Sequence, residues 1–349
     1  MATIKRIGIL TSGGDCPGLN AAIRATAKAA ILENYEVIGI KRGWKGFFDD
    51  DYMLLDRINT SGIIDRGGTI LGSSRLSPLE EENGVEMVFK KFDKLELGGL
   101  VVLGGEGTLS VTSKLHRQGL KVIGIPKTID NDVRGTSFSI GFQTAVQVAT
   151  DALDRLRSTA ESHHRIMLLE VMGRTTGWIA TYAGMANGAD AILIPEIPMD
   201  DKKIDDLCSM LALRSDRGAN FSVIVVAEGT VLQGKTIERP VLDLYDSGEA
   251  YRFGGVGTLI ARIIEEKIGI ESRVTTLGYV QRGGTPVAYD RSLATAFGVK
   301  AVDLIKQENY GMMTALKGNS IVHVPLTEVE DHVKTIDLNI YRTAEVFFG

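Results

Sequence analysis

The placement of glycine is what most limits the folds open to this chain. It has 40 glycines in 349 residues, about 11% against roughly 7% in ordinary proteins. They are not spread as a linker. They gather at 13–18, 67–72, 98–107, 173–177, 253–257 and 283–284. Several clusters directly follow short apolar, β-branched runs. Glycine in that place lets the backbone turn sharply from strand to helix and approach a ligand closely.

The apolar runs are Ile7–Thr11, Glu36–Ile40, Leu100–Leu103, Val122–Ile125, Ile166–Val171, Ala191–Ile194, Ser222–Ala227 and Arg273–Leu277. Several are continuous rather than alternating, as suits strands buried on both faces of a parallel sheet. Helical spacing fills the intervals at Asn20–Glu33, Thr144–Ser162, Gly255–Ile268 and Asp290–Lys306. Strands alternating with helices predict an α/β fold with mainly parallel sheets and helices on both faces. The length suggests two or three domains. No repeat, low-complexity segment or linker divides the chain, so two domains would be woven by crossovers.

Thirty-nine Lys and Arg against 44 Asp and Glu leave a net charge of −5. Nucleic acid and anionic membrane both need a basic field, so neither is an expected partner. The apolar stretch Ile7–Leu10 is too short for a signal peptide, and no run approaches a membrane span. Cys16 and Cys208 form neither a metal-ligand pair nor a disulfide framework. The expectation is a soluble cytoplasmic protein with two reduced, buried thiols.

Three glycine-rich or acidic turns carry the chemistry. Thr11-Ser12-Gly13-Gly14-Asp15 follows the first strand and matches neither GxGxxG nor the P-loop pattern. Its N–H groups could form an anion site or simply a structural turn. Gly104-Gly105-Glu106-Gly107-Thr108 sets a carboxylate and a hydroxyl among glycines, a set that suits Mg²⁺ and a phosphate chain or a capped turn. Pro126-Lys127-Thr128-Ile129-Asp130-Asn131-Asp132 offers two carboxylates two residues apart. One could take a hydroxyl proton, or both could satisfy an Asx-rich turn. Arg75, Arg165, Arg174, Arg273 and Arg282 stand near strand ends or glycines, where guanidinium can grip phosphate. His163-His164 lacks a third ligand at metal spacing, and the charged residues Asp154, Arg155, Arg157 and Glu161 read as a solvated or subunit-facing surface.

These motifs, together with Met172-Gly173-Arg174 and Gln281-Arg282-Gly283-Gly284, occur in one order and spacing. The chain resembles the 6-phosphofructokinase family of the bacterial short-chain type, from Ile4 to near the C-terminus. The resemblance implies two Rossmann-like domains with the active site in their cleft: 1–141 plus 281–331 for the phosphoryl donor, 142–280 plus 332–349 for fructose 6-phosphate. It implies phosphoryl transfer to the 1-hydroxyl of fructose 6-phosphate in glycolysis. Asp130 would be the general base, with Arg174, Thr128 and Asp132 as further catalytic groups and Asp132 supporting metal and base. Gly13, Arg75, Leu76, Gly105, Glu106, Gly107, Thr108 and Lys127 would line the donor site, with Glu106 on Mg²⁺. Thr128, Ile129, Asp130, Met172, Gly173, Arg174, Glu228, Tyr279 and Arg282 would bind the sugar phosphate. Arg165 and Arg273 would reach a neighbouring subunit's site in a homotetramer.

This sequence departs from the family pattern in places. Glu106 stands where an aspartate is usual, and Tyr279 where many members have histidine. Pyrophosphate-using members carry aspartate at the position of Gly107 and lysine at that of Lys127. An aspartate would crowd and repel the α-phosphate of ATP. This chain combines the permissive Gly107 with the lysine, and the steric argument favours ATP over pyrophosphate. Arg24, Lys28, Arg57 and Arg157 match positions of an effector site between subunits. Two rivals are a non-catalytic sugar-phosphate-binding protein on the same fold and an NAD-dependent oxidoreductase. The oxidoreductase cue, Gly254-Gly255-Val256-Gly257-Thr258, follows polar sequence rather than a strand.

Overall fold

The computed structural model describes residues 5–234, 255–330 and 332–349. Ile4, where the resemblance starts, and Gly254 of the fifth glycine cluster lie outside the described residues. In chain order the elements are β1 (Lys5–Thr11), α1 (Leu19–Leu32), β2 (Tyr35–Ile40), α2 (Lys45–Asp49), β3 (Tyr52–Leu55), α3 (Gly84–Lys94), β4 (Leu97–Gly104), α4 (Glu106–Arg117), β5 (Val122–Thr128), β6 (Ile140–Gly141) and α5 (Phe142–His163). There follow β7 (Ile166–Val171), α6 (Trp178–Asn187), β8 (Ala191–Leu193), α7 (Asp201–Asp216), β9 (Ser222–Ala227), α8 (Val256–Ile268), β10 (Ser272–Thr276), α9 (Ala288–Lys306), β11 (Met312–Lys317), β12 (Ser320–Pro325) and α10 (Leu338–Glu345).

The chain divides into two units, Met1–Thr144 with Arg282–Lys334, and Ala145–Gln281 with Thr335–Gly349. Unit 1 holds an eight-stranded sheet of order β12-β11-β5-β4-β1-β2-β3, with β6 paired to β5. Its neighbours run parallel except at the two edges, where β3 and β12 are antiparallel to β2 and β11. Unit 2 holds the four-stranded sheet β10-β7-β9-β8, parallel throughout. The expected α/β fold with mainly parallel sheets is therefore observed.

Burial explains why the central strands read as unbroken apolar runs. Ile7 to Thr11 of β1 are all buried, and so is every residue of β7 and β9. On one face of the larger sheet, Leu10, Leu100 and Val102 share a core with Val88 and Phe92 of α3 and Leu109 of α4. Gly99 points to the opposite face, where a Cβ would lie 3.5 Å from Ile305 of α9. There α9 meets α1 closely: a Cβ on Gly298 would come within 2.8 Å of the Ala25 Cβ. In unit 2, Ile166, Leu168, Ile224 and Val226 pack with Leu207 of α7 and Ile264 of α8.

Two buried carboxylates anchor helix starts. Asp290, fully buried, accepts from the Gly141 N–H (3.0 Å), the Thr144 N–H (2.8 Å) and the Thr144 hydroxyl (2.6 Å) at the start of α5. Burial raises its carboxyl above the usual range, while the three donors pull the other way. Glu170 accepts from the N–H groups of Gly255 (3.1 Å) and Gly257 (2.8 Å) at the start of α8. Cys16 and Cys208 are buried free thiols. Among the described residues no helix is long and apolar enough to cross a membrane.

Candidate active site

Unit 1 brings its motifs together at the carboxyl ends of three adjacent strands, β5, β4 and β1. That edge is where parallel sheets present loops to ligands. The turn after β1 is braced by 72–74. The Ser12 hydroxyl donates to the Ser74 carbonyl (3.1 Å), the Thr11 hydroxyl to that of Gly72 (2.7 Å), and the Gly13 N–H to that of Ser74 (2.9 Å). Gly13 has φ +81°, which a side chain would resist. A Cβ on Gly13 would lie 3.2 Å from the Thr108 hydroxyl and 3.8 Å from Lys127 Nζ, so these three residues meet. Arg75 follows the brace and is exposed, while Leu76 packs against the unit 1 core.

Lys127 is 2% exposed at the end of β5. Its ammonium donates to the carbonyls of Ser12 (3.0 Å) and Gly14. Burial lowers its pKa, and the nearby Arg282 pushes the same way. Arg282 lies over the first turn: a Cβ on Gly14 would come within 2.6 Å of its Nη1. The second turn runs from Gly104 into α4, whose N-terminus no side chain among the described residues caps. Glu106 opens that helix. A Cβ on Gly107 meets nothing within 4 Å among the described residues. A Cβ on Gly105 would lie 3.7 Å from the Thr128 Cβ, which sets the second turn beside the third.

In the third turn the Asp130 N–H donates to the Thr128 hydroxyl (3.1 Å), and the Ser139 hydroxyl donates to the Thr128 carbonyl (2.7 Å). Asp130 and Thr128 are half-buried, and Ile129 is buried. Burial raises the Asp132 carboxyl, and the charges of Lys334 and Lys127 lower it in part.

Unit 2 gathers a second set at the ends of β7 and β9, which are neighbours. The Glu228 N–H donates to the Val171 carbonyl (2.9 Å) and the Gly229 N–H to that of Gly173 (3.0 Å). Gly173 has φ +143°. The Met172 N–H donates to the Gln281 side chain (3.3 Å). Met172 and Gly173 are buried, Glu228 is half-buried, and Arg174 is exposed. Arg165 and Arg273 converge on one carboxylate: Arg165 Nε donates to Glu271 at 2.6 Å, and Arg273 pairs with Glu271 and Glu265. Tyr279 is 74% exposed.

The phosphofructokinase family model matches residues 6–305. The chain belongs to the phosphofructokinase family. It is 46% identical over 346 residues to an ATP-dependent 6-phosphofructokinase of Streptomyces coelicolor, covering 97% of this chain and 99% of the relative. It is also 46% identical over 350 residues to a pyrophosphate–fructose 6-phosphate 1-phosphotransferase of Amycolatopsis methanolica, covering 99% and 100%. Among solved structures, Pichia pastoris phosphofructokinase in the T-state aligns with a TM-score of 0.83 at 30% identity. That alignment covers 99% of this chain, which spans only 37% of the longer Pichia chain.

Members of the phosphofructokinase family generally use Mg²⁺ with ATP, and the residues present fit an ion that arrives with its ligand. Among the described residues no group of three or more His, Cys, Asp or Glu is placed to hold a metal. Mg²⁺ needs only one or two carboxylates beside phosphate and water oxygens. Glu106 stands at the start of α4, and among the described residues the buried Asp132 Oδ1 has no hydrogen-bond partner.

The effector-type residues divide between the units. Arg24 and Lys28 lie on α1 and Arg57 is exposed, all in unit 1. Arg157, in unit 2, donates to the Asn187 (3.0 Å) and Gly188 (3.1 Å) carbonyls and lies over the Phe221 ring. The sequence reading has Gln281 only as part of its motif, without its bond to Met172, and misses Ser74 and Lys334 as partners of the site. Only tertiary pairing brings them there, and no local spacing marks them.

Proposed function

We propose that the protein is a 6-phosphofructokinase that uses ATP to phosphorylate the 1-hydroxyl of fructose 6-phosphate, giving fructose 1,6-bisphosphate in glycolysis. The observation that carries this reading is the grouping at the ends of β5, β4 and β1: a carboxylate, Asp130, beside two glycine turns suited to phosphate. Phosphoryl transfer needs positioning and neutralised charge more than covalent help.

The 1-hydroxyl oxygen attacks the γ-phosphorus, the bond from that phosphorus to the bridging oxygen breaks, and ADP leaves. Asp130 takes the hydroxyl proton. Thr128, whose hydroxyl accepts from the Asp130 N–H, helps hold base and sugar. The turns at Gly13 and Gly105–Thr108 cradle the donor with Arg75 and Leu76. Glu106 would hold Mg²⁺, which when bound neutralises the phosphate oxygens, and Asp132 supports it. Arg174 steadies the transferring group. Met172, Gly173, Glu228, Tyr279 and Arg282 bind the sugar phosphate with Ile129. Unit 1 serves mainly the donor and unit 2 the sugar. Arg165 and Arg273 serve a neighbouring subunit in a cytoplasmic homotetramer.

Overall identity does not choose the donor, because relatives named for ATP and for pyrophosphate match equally well. Two local facts favour ATP. Among the described residues nothing lies within 4 Å of a Cβ on Gly107, and Lys127 is engaged by the Ser12 and Gly14 carbonyls. Lys127 in its motif favours pyrophosphate. The reading is tested by following fructose 1,6-bisphosphate formation from fructose 6-phosphate and MgATP in the wild type and Asp130→Asn. Loss of the base should cut kcat by about 10²–10⁴-fold. An unchanged kcat would contradict the assignment.

A further inference from the structure

The turn that carries Asp130 is fastened by a residue 203 positions beyond Asn131. Lys334 Nζ donates to the Asn131 side-chain oxygen (3.1 Å), the Thr136 carbonyl (2.9 Å) and the Ser137 carbonyl (3.0 Å). An ammonium has three N–H groups, and three acceptors of this single turn lie within hydrogen-bond distance of it. The backbone repeats the attachment. The Lys334 N–H donates to the Asp132 carbonyl (2.8 Å), and Val333 bridges Val133 in antiparallel sense. His332 and Val333, just before Lys334, are exposed, and Ile336, two residues after it, is buried.

Asn131 is the hinge of the arrangement. It is fully buried with φ +52°, a conformation asparagine tolerates better than most residues. Its oxygen also accepts from the Ser139 N–H (3.0 Å), and its Nδ2 donates to the Ser137 carbonyl (3.3 Å). Asp130 therefore sits between two fixed neighbours: Thr128, bonded to Asp130 and Ser139, and Asn131, bonded to Ser137, Ser139 and Lys334. Burial pushes the Lys334 ammonium down to about 8, while Asp132 pulls it upward. Keeping a charge there is costly, and the three bonds offset that cost.

We propose that Lys334 is a positioning residue for Asp130: one half-buried ammonium fills the acceptors of the 131–137 turn and fixes the backbone that carries the base. The proposal rests on Asp130 being the base. A turn freed to move by an ångström loses alignment with the attacking hydroxyl, and such misplacement costs about 100-fold in rate.

The test is a double-mutant cycle on the full chain, with Lys334→Met and Asp130→Asn singly and together, reading kcat and both KM values for fructose 6-phosphate and MgATP. Lys334→Met should lower kcat by about 10- to 100-fold, with both KM values within about threefold. Lys334→Arg, which keeps charge and donors, should recover part of the loss. In the Asp130→Asn background Lys334→Met should cause no further fall. An equal fall in both backgrounds would mean that Lys334 does not act through Asp130, and would overturn the proposal. So would an unchanged kcat in Lys334→Met. A normal kcat in Asp130→Asn alone would instead overturn the base reading and the proposal with it. Should Lys334→Met not fold, Lys334→Gln, which keeps one donor group, is read by the same criteria.

Discussion

Replacing Gly107 by aspartate separates the donor site from the fold. Gly107 is the second residue of α4, and a Cβ there meets nothing within 4 Å among the described residues. The protein itself accommodates the side chain. A helix gains a few tenths of a kcal/mol when glycine is replaced, and an acidic group in the first turn adds about 0.3–1 kcal/mol. Gly107→Asp should therefore be at least as stable as wild type by urea unfolding. Its effect falls on the ligand. A carboxylate about 4 Å from an α-phosphate oxygen repels it by about 4 kcal/mol at an effective dielectric of 20, and by less at longer range. That predicts a loss of about 10²–10³-fold in kcat/KM for ATP. Pyrophosphate has no nucleoside phosphate beyond the pair it presents, so its rate should change far less. Gly107→Ala separates bulk from charge: if repulsion dominates, alanine stays within a few-fold of wild type. Steady-state rates with each donor at saturating fructose 6-phosphate read the outcome. A folded Gly107→Asp enzyme with undiminished ATP turnover would refute the reasoning.

Other substitutions test the surrounding geometry. Gly14→Ala pushes on the Arg282 guanidinium, a flexible chain end, so stability should stay within about 0.5 kcal/mol while activity drops. Gly229→Ala would set a Cβ 1.9 Å from the Arg174 carbonyl oxygen, a backbone clash costing about 3 kcal/mol or more by urea unfolding. Asp290→Asn cannot accept from all three donors at the start of α5 and should lose about 1–3 kcal/mol. Lys334 has a folded pKa of about 8, below its ordinary 10.5, so between those values the unfolded chain binds more protons. The Lys334 contribution to stability should therefore rise with pH across that window, seen as wild type gaining on Lys334→Met in unfolding curves from about pH 7 to 10.

What the sequence made legible follows from locality. Ile166–Val171 and Ser222–Ala227 are strands over those residues, because burial on both faces leaves an unbroken apolar run. The reading does not pick out the β11–β12 hairpin. Most of β12 is exposed or half-exposed, with Ser320 and His323 among its residues. α7 is likewise obscured by its charges, which face water while Ile204, Leu207 and Leu211 turn inward. The three site turns were legible because each lies in one short stretch. Their partners were not. The brace of Ser12 on Ser74, the bond from Met172 to Gln281 and the grip of Lys334 on Asn131 span 62, 109 and 203 residues. Lys127 shows how context revises a motif. It reads in sequence as a donor-binding charge, and its ammonium is held by the turn it neighbours.

The account turns on the donor, and the most direct test compares initial rates with fructose 6-phosphate and Mg²⁺ when ATP or pyrophosphate is supplied at equal concentration. A strong preference for ATP is predicted, with Gly107 as the deciding residue and Lys127 as a structural charge. A preference for pyrophosphate would contradict the account and make Lys127 and Glu106 the residues that set the donor.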